Sequence, residues 1–194
     1  MDVINKFQKI GKNLDRKRFV DATGGNLSYR DHGHIFITAS GSNLGNLEKK
    51  DILMIPLDKE ALQLKQRGGG GRSPSSELPL HYNIYKKTKA KAIIHCHPIY
   101  PILISNHTNE NTLKCNTESS KIIIGEQIKI IERIQPGTKK LAKKTSKQLK
   151  KEKGLILKNH GVVSKGQNFD QAMNTIEAIN QVSKNTYLSL ILNS

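Results

Sequence analysis

Residues 92–97, AIIHCH, constrain this chain more than any other stretch. A short run that is apolar at both odd and even positions reads as a buried strand, and a strand buried on both faces needs a layer of structure on each. Two-residue periodicity sends His95 and His97 to one face and Cys96 to the other. Imidazoles at i and i+2 converge on a point above the sheet. The residues that demand a central sheet therefore also suggest a site on it.

The rest of the chain supplies the layers. Val3, Ile4, Phe7, Ile10 and Leu14 recur at three- and four-residue steps and predict an amphipathic helix over residues 3–20. Residues 27–30 and 34–38 read as strands joined by an Asp31-His32-Gly33 turn, and residues 52–57 as a third strand. Four glycines, 68–71, belong to no helix or strand interior, so residues 68–77 (GGGGRSPSSE) are expected to be a flexible segment. Ser75 and Ser76 then lead into a helix through His81, Ile84 and Tyr85, with Pro79 tolerated in its first turn. The β-rich runs 119–131 and 155–158 predict further strands. Residues 139–153 hold eight lysines and one glutamate, the composition of a solvent-facing helix, placed away from the site motifs. Residues 169–192 carry Phe169, Ala172, Met173, Ile176, Ile179 and Val182 on one stripe, with Asn168 as N-cap. No repeat or linker divides the sequence. A single α/β domain over residues 1–194 follows, with a mixed, mostly antiparallel central sheet flanked by helices in α/β/α layers.

The formal net charge is +16, from 32 Lys plus Arg against 16 Asp plus Glu. Such an excess raises the possibility of a nucleic-acid partner. However, only six of the basic residues are Arg and only 5% of all residues are aromatic. Base reading relies on Arg, and single-strand binding on aromatic stacking platforms. The lysines are read as solvated surface, and no nucleic acid is expected. No stretch reaches the ~18 apolar residues of a membrane span, and residues 1–20 lack the apolar block of a signal peptide. Cys96 and Cys115 make no disulfide framework. A cytoplasmic protein with no membrane partner is the expectation.

A catalytic metal centre takes three protein ligands and leaves one position open. His95 and His97 supply two candidates. His160, in LILKNHGVV, is the third, and Gly161 after it permits a tight turn that leaves the ring exposed at a strand end. Glu77, between two serines and a helix, is the carboxylate placed to work beside them. Histidines on apolar strands are also common as ordinary hydrogen-bonded residues, so the pair alone leaves both readings open. The strand-end His-Gly and the Ser-rich loop with its carboxylate favour the metal. Gly24-Gly25-Asn26, Thr38-Ala39-Ser40-Gly41-Ser42 and Ser73-Pro74-Ser75-Ser76 offer hydroxyl, amide and backbone N–H donors suited to phosphate. Each alone also fits a plain turn, and none matches a P-loop or dinucleotide fingerprint. Beside a metal triad they suggest a small phosphorylated substrate.

TGGNLSYRDHGHIFITASG, PSSELPLHYNIY, AIIHCHP and NHGVV, in this order and spacing, resemble the class II aldolase/adducin family, most of all its L-fuculose-1-phosphate aldolases. The resemblance runs from about Gly24 to the final helix. It implies an aldehyde-lyase, a zinc-dependent aldolase that cleaves a small ketose 1-phosphate to dihydroxyacetone phosphate and an aldehyde. Three histidines bind one zinc ion per subunit in that family, and the matching positions are His95, His97 and His160. The matching glutamate, Glu77, approaches the metal in the free enzyme and acts as acid/base once substrate displaces it. Family phosphate contacts map onto Gly25, Asn26, Ser40, Gly41, Ser75 and Ser76. A homotetramer with its site at a subunit interface is implied as well. The family also includes ribulose-5-phosphate 4-epimerases, methylthioribulose-1-phosphate dehydratases and non-catalytic adducin-like modules; the last lose the metal histidines, which this chain keeps. Fuculose-phosphate aldolases carry an interface tyrosine that protonates the aldehyde oxygen. Where it should fall, this chain has Lys114, Cys115 and Asn116.

Overall fold

A computed structural model describes residues 2–58 and 72–192. The expected flexible run of glycines at 68–71 lies outside the described residues. Asp2 caps α1 (Val3–Arg16), whose Phe7, Ile10 and Leu14 are buried. The helix stops short of residue 20 because Arg18 turns left-handed (φ 56°). Arg18 N then bonds to Asp15 O at 2.8 Å and Phe19 N to Leu14 O at 2.9 Å, the paired bonds of a Schellman stop.

β1 (Asn26–Asp31) and β2 (His34–Thr38) form the predicted hairpin. Its two central residues, His32 and Gly33, both have positive φ, 42° and 79°, as a turn that follows strand twist requires. β3 (Ile52–Pro56) extends the hairpin. α2 (Leu78–Lys87) carries Pro79 in its first turn. β4 (Ala92–Cys96) is the AIIHCH strand, buried at every position. After it come α3 (Ile99–His107), β5 (Thr112–Lys114), α4 (Glu118–Ile124) and β6 (Gln127–Ile131). α5 (Lys139–Gln148), β7 (Gly154–Leu157), β8 (Gly161–Gly166) and α6 (Phe169–Leu192) complete the described chain. The strands form one sheet in the order β3-β2-β1-β4-β8-β7-β6-β5. Only β6 and β7 pair in parallel, so the sheet is mixed and mostly antiparallel, as predicted.

Each face of the sheet has its own core. Phe7, Ile10 and Leu14 of α1 and Phe169, Ile176 and Ile179 of α6 pack with Ala92, Ile94 and Cys96. Leu78 and Ile84 of α2 and Leu141 of α5 pack with Ile93, Leu155 and Val163. The alternation along β4 thus places Cys96 on the α6 side and His95, in phase with Ile93, on the α2 side. Asn168 Oδ1 accepts from Gln171 N at 2.8 Å and caps α6 as expected.

Further sequence expectations change. Residues 119–131 are not one β-run. Thr117 caps a helix through Ser120 N, and Gly125 (φ 113°) ends it before β6 begins. A cap and a stop outweigh the β-preference of Ile122-Ile123-Ile124, and Ile122 is left 80% exposed. The lysine-rich helix is not solvent-facing all round, since Leu141, Ala142, Thr145 and Ser146 of α5 are buried. The periodicities also do not identify α3, β5 or β8, of which β5 is only three residues long.

Phe169 joins both helices of one layer to the sheet. Its ring meets Phe7 edge-on at 5.1 Å and lies 5.7 Å from Tyr29. Phe169→Ala is expected to destabilise the protein by about 3–5 kcal/mol, read from urea unfolding midpoints. A loss under ~1 kcal/mol would show that the α1–α6 seam contributes little.

Candidate metal centre and anion loops

The C-terminal end of β4 meets the N-terminal end of β1 and the turn between β7 and β8. Asn26 pairs with His95 across β1 and β4, and Cys96 pairs with Val162 across β4 and β8. The turn carrying His160 is held by His160 N to Leu157 O at 3.0 Å, by left-handed Asn159 (φ 59°) and by Asn159 N to Ser105 Oγ of α3 at 3.3 Å. His97 follows the strand, its N bonded to Phe19 O at 2.7 Å. The backbones approach closely here. A Cβ on Gly25 (φ 78°) would lie 2.8 Å from His95 O, and one on Gly161 would collide with Cys96 O and lie 2.7 Å from His97 Cδ2.

These elements bring three imidazoles together. His95 Nε2 lies 3.1 Å from His97 Nε2 and 3.2 Å from His160 Nε2. His95 Nδ1 lies 3.0 Å from Val162 O. A carbonyl only accepts, so Nδ1 carries the proton and Nε2 presents a lone pair. That single lone pair cannot accept from both neighbours. A cation resolves the conflict, and the two separations from His95 Nε2 suit one: a tetrahedral ion with N ligands at ~2.0–2.1 Å sets its ligand atoms about 3.3 Å apart, and all three ligand atoms lie within 4.8 Å of one another. His95, His97 and His160 are the group among the described residues that could share such an ion. Asp21 Oδ1 stands 3.7 Å from His97 Nδ1. His160 Nδ1 is buried with no partner among the described residues.

Burial keeps the three rings neutral and able to ligate. It pushes His95 well below the ordinary imidazole range, with the neighbouring His97 and His160 adding to the effect. His160 is pushed down to about 4 by burial and then by His97. His97 is lowered by burial, against an opposing pull from Asp21.

Glu77 does not join this cluster. It is only 4% exposed, and its Oε1 accepts from Gly137 N at 2.7 Å. Gly137 sits in the turn that leads into α5, so the lysine-rich helix begins beside Glu77 and is not remote from the site motifs. No motif in the sequence marks Gly137; only the tertiary contact does.

The anion loops are partly brought together. Ser40 N bonds to Ser73 O at 2.8 Å and Ser75 N to Thr38 O at 3.0 Å, joining residues 38–42 to 73–76. Those two N–H groups are spent on carbonyls of the facing loop. Ser75 Oγ accepts from Glu77 N at 3.2 Å and keeps its own proton to donate. Ser40, Gly41 and Ser76 are exposed, and Ser76 precedes the N-terminus of α2. Asn26 is buried, with Oδ1 held by His81 Nε2 at 2.6 Å. Sequence reading also missed Asp51, which pairs with Arg72, accepts from Ser42 Oγ at 3.4 Å and so pins this loop. At the place of the absent tyrosine, Asn116 Nδ2 donates to Val182 O and Thr186 Oγ1 of α6, at 3.4 and 3.2 Å. Tyr100 and Tyr187 pack together at 5.9 Å. No helix among the described residues is long and apolar enough to cross a membrane.

Comparison with known proteins gives the family and the fold. Residues 5–187 match the family described as Class II Aldolase and Adducin N-terminal domain. The chain is 32% identical over 189 residues to an L-fuculose phosphate aldolase of Methanococcus maripaludis, covering 97% of each chain. It is 28% identical over 181 residues to a 3-oxo-tetronate 4-phosphate decarboxylase of Haemophilus influenzae, covering 91% of this chain and 82% of that one. The crystal structure of the L-fuculose-1-phosphate aldolase from Thermus thermophilus shares the fold, with a TM-score of 0.86 at 21% identity over 98% of this chain and 95% of that one.

The close approach at Gly161 gives a test of the centre. Gly161→Ala is expected to displace the His160 turn and weaken zinc binding about ten- to hundred-fold, with far-ultraviolet circular dichroism unchanged. Zinc affinity equal to the parent would mean that the turn does not set the ligand geometry.

Proposed function

The chain belongs to the Class II Aldolase and Adducin N-terminal domain family, and on that premise we propose that it is a zinc-dependent aldolase. Its substrate would be a small ketose 1-phosphate of the L-fuculose 1-phosphate kind, cleaved to dihydroxyacetone phosphate and an aldehyde. The carrying observation is the convergence of three imidazole Nε2 atoms, with His95 Nε2 at 3.1 and 3.2 Å from the other two. His95, His97 and His160 would hold the ion, which when bound supplies a Lewis acid for the oxygen of the reacting carbonyl.

The chain's own residues do the rest. The Asn26 amide, the Ser40, Ser75 and Ser76 hydroxyls and the backbone at Gly25 and Gly41 would grip the phosphate at the start of α2, where helix N–H groups favour an anion. Holding that end fixes the bond to be broken relative to the metal. Glu77 would move the proton to and from the carbon left electron-rich by C–C cleavage. Its carboxylate is already oriented by Gly137 N. A homotetramer is part of the proposal, and the exposed Leu188, Leu190, Ile191 and Leu192 of α6 support a further partner surface.

A second reading has its own observation. Lys114, Cys115 and Asn116 stand where aldolases carry the tyrosine that protonates a departing aldehyde, and a decarboxylation releases carbon dioxide and needs no such acid. Loss of the carboxyl carbon as carbon dioxide from a 3-oxo-tetronate 4-phosphate also leaves dihydroxyacetone phosphate. The two reactions therefore share the phosphate grip, the metal and the proton at Glu77.

The deciding assay measures dihydroxyacetone phosphate release from a panel of ketose 1-phosphates and from a 3-oxo-tetronate 4-phosphate, with aldehyde and carbon dioxide followed separately. Release with aldehyde, abolished by chelator and restored by zinc, is the expected result. Full activity in metal-stripped protein would end the proposal, and carbon dioxide in place of aldehyde would select the second reading. His95→Ala and His160→Ala are expected to lose both metal and activity. Glu77→Gln is expected to keep its zinc and lose about 10²- to 10⁴-fold in kcat; unchanged turnover would remove Glu77 from the mechanism.

A further inference from the structure

Behind Asn26 runs a buried polar chain that the proposed chemistry does not use. His81 Nε2 lies 2.6 Å from Asn26 Oδ1, His81 Nδ1 lies 2.6 Å from Ser28 Oγ, and Ser28 Oγ lies 2.8 Å from Tyr85 Oη. His81 and Ser28 are wholly enclosed between β1 and α2, and Tyr85 nearly so. In such surroundings each donor has to meet an acceptor. Burial pushes His81 down to about 3, so the ring is neutral, with one N–H and one lone pair.

Protons can run along this chain in two directions. In one, Tyr85 donates to Ser28, Ser28 donates to His81 Nδ1, and His81 Nε2–H donates to Asn26 Oδ1. In the other, the Asn26 amide is turned over and every bond reverses. Ser28 then donates to Tyr85, and the Tyr85 proton is left with Lys91 O at 3.4 Å. The first direction spends that proton on Ser28 at 2.8 Å. A 3.4 Å O–H···O contact is well outside the normal ~2.5–3.0 Å range, so the first direction prevails. Asn26 Nδ2 makes no hydrogen bond among the described residues and is the end of the amide left to the site.

We propose that His81 is a positioning residue: through its Nε2–H it holds the Asn26 amide with oxygen inward and NH₂ outward, so that the group offered to a substrate's phosphate is only a donor. An unrestrained amide would sample both orientations in the unliganded site and would have to be ordered when the dianion binds. The inference rests on the reading of Asn26 as a phosphate ligand and assigns the residue that makes it one. His81 lies four residues beyond Glu77, the N-cap of the same helix, so one element sets both the proton carrier and the phosphate grip.

The test uses the zinc-loaded enzyme and inorganic phosphate as probe, with Kd from calorimetry and KM and kcat from the release assay. His81→Leu, which offers no N–H, is expected to weaken phosphate binding and raise KM by about ten- to hundred-fold, the scale of a lost charge-assisted bond. Zinc content and kcat should stay near the parent's. His81→Gln keeps a donor at the far end and should recover phosphate affinity to within about threefold. If His81→Leu binds phosphate like the parent while Asn26→Ala does not, the positioning role is wrong. If Asn26→Ala binds phosphate like the parent, Asn26 is no phosphate ligand, and the reading beneath the inference falls with it. Nitrogen-15 spectra of histidine-labelled parent enzyme give a check that needs no variant. A proton on Nε2 of His81 is expected, and one on Nδ1 would overturn the proposal.

Discussion

The hydrogen bond from His95 Nδ1–H to the Val162 carbonyl, 3.0 Å long, crosses between β4 and β8 at the end of the sheet where the other site elements gather. It fixes the tautomer of a ring that is 1% exposed and leaves its Nε2 lone pair pointing at His97 and His160. The strand register delivers the bond, because Cys96 pairs with Val162 and His95 with Val163. A one-residue slip would send His95 to the α6 face and Cys96 into the site. Sheet register and metal chemistry are thus one constraint.

Gathering three desolvated imidazoles is unfavourable without a cation, since each disfavours charge on the next. The fold offsets this by making the end of the sheet rigid. Glycines at 25 and 161 let backbone pack against β4, and Ser105 of α3 braces the His160 turn. The anion loops show the same economy: residues 38–42 and 73–76 satisfy each other's backbone, and Asp51 ties them down through Arg72 and Ser42. Asn26, Ser40, Ser75 and Ser76 beside these loops are the groups proposed to meet an anion. The chain's +16 charge is not what builds the site. Lysines dominate α5 but its buried stripe packs against α2, and only the turn before it reaches Glu77.

Much of this was legible in the sequence, because local rules govern it. Residues 92–97 are apolar on both parities, His32 and Gly33 have the turn chemistry of a hairpin, and Asn168 caps α6. The three metal-ligating candidates were visible from HxH and a strand-end His-Gly. What was hidden depends on tertiary contact or on competition between rules. Ile122, Ile123 and Ile124 favour a strand by composition, yet Thr117 and Gly125 impose a helix. His81 looks like any helical histidine until Ser28 and Asn26 are seen on either side of its ring. Gly137 gains its role only through a contact sixty residues away in sequence.

Everything else at this end of the sheet depends on three imidazole nitrogens forming a ready metal site. X-ray absorption at the zinc edge of the reconstituted enzyme tests it most directly. Three imidazole nitrogens at about 2.0–2.1 Å are expected, with an oxygen in the remaining position. A spectrum with sulfur in the shell, or with oxygen alone and no imidazole scattering, would contradict it.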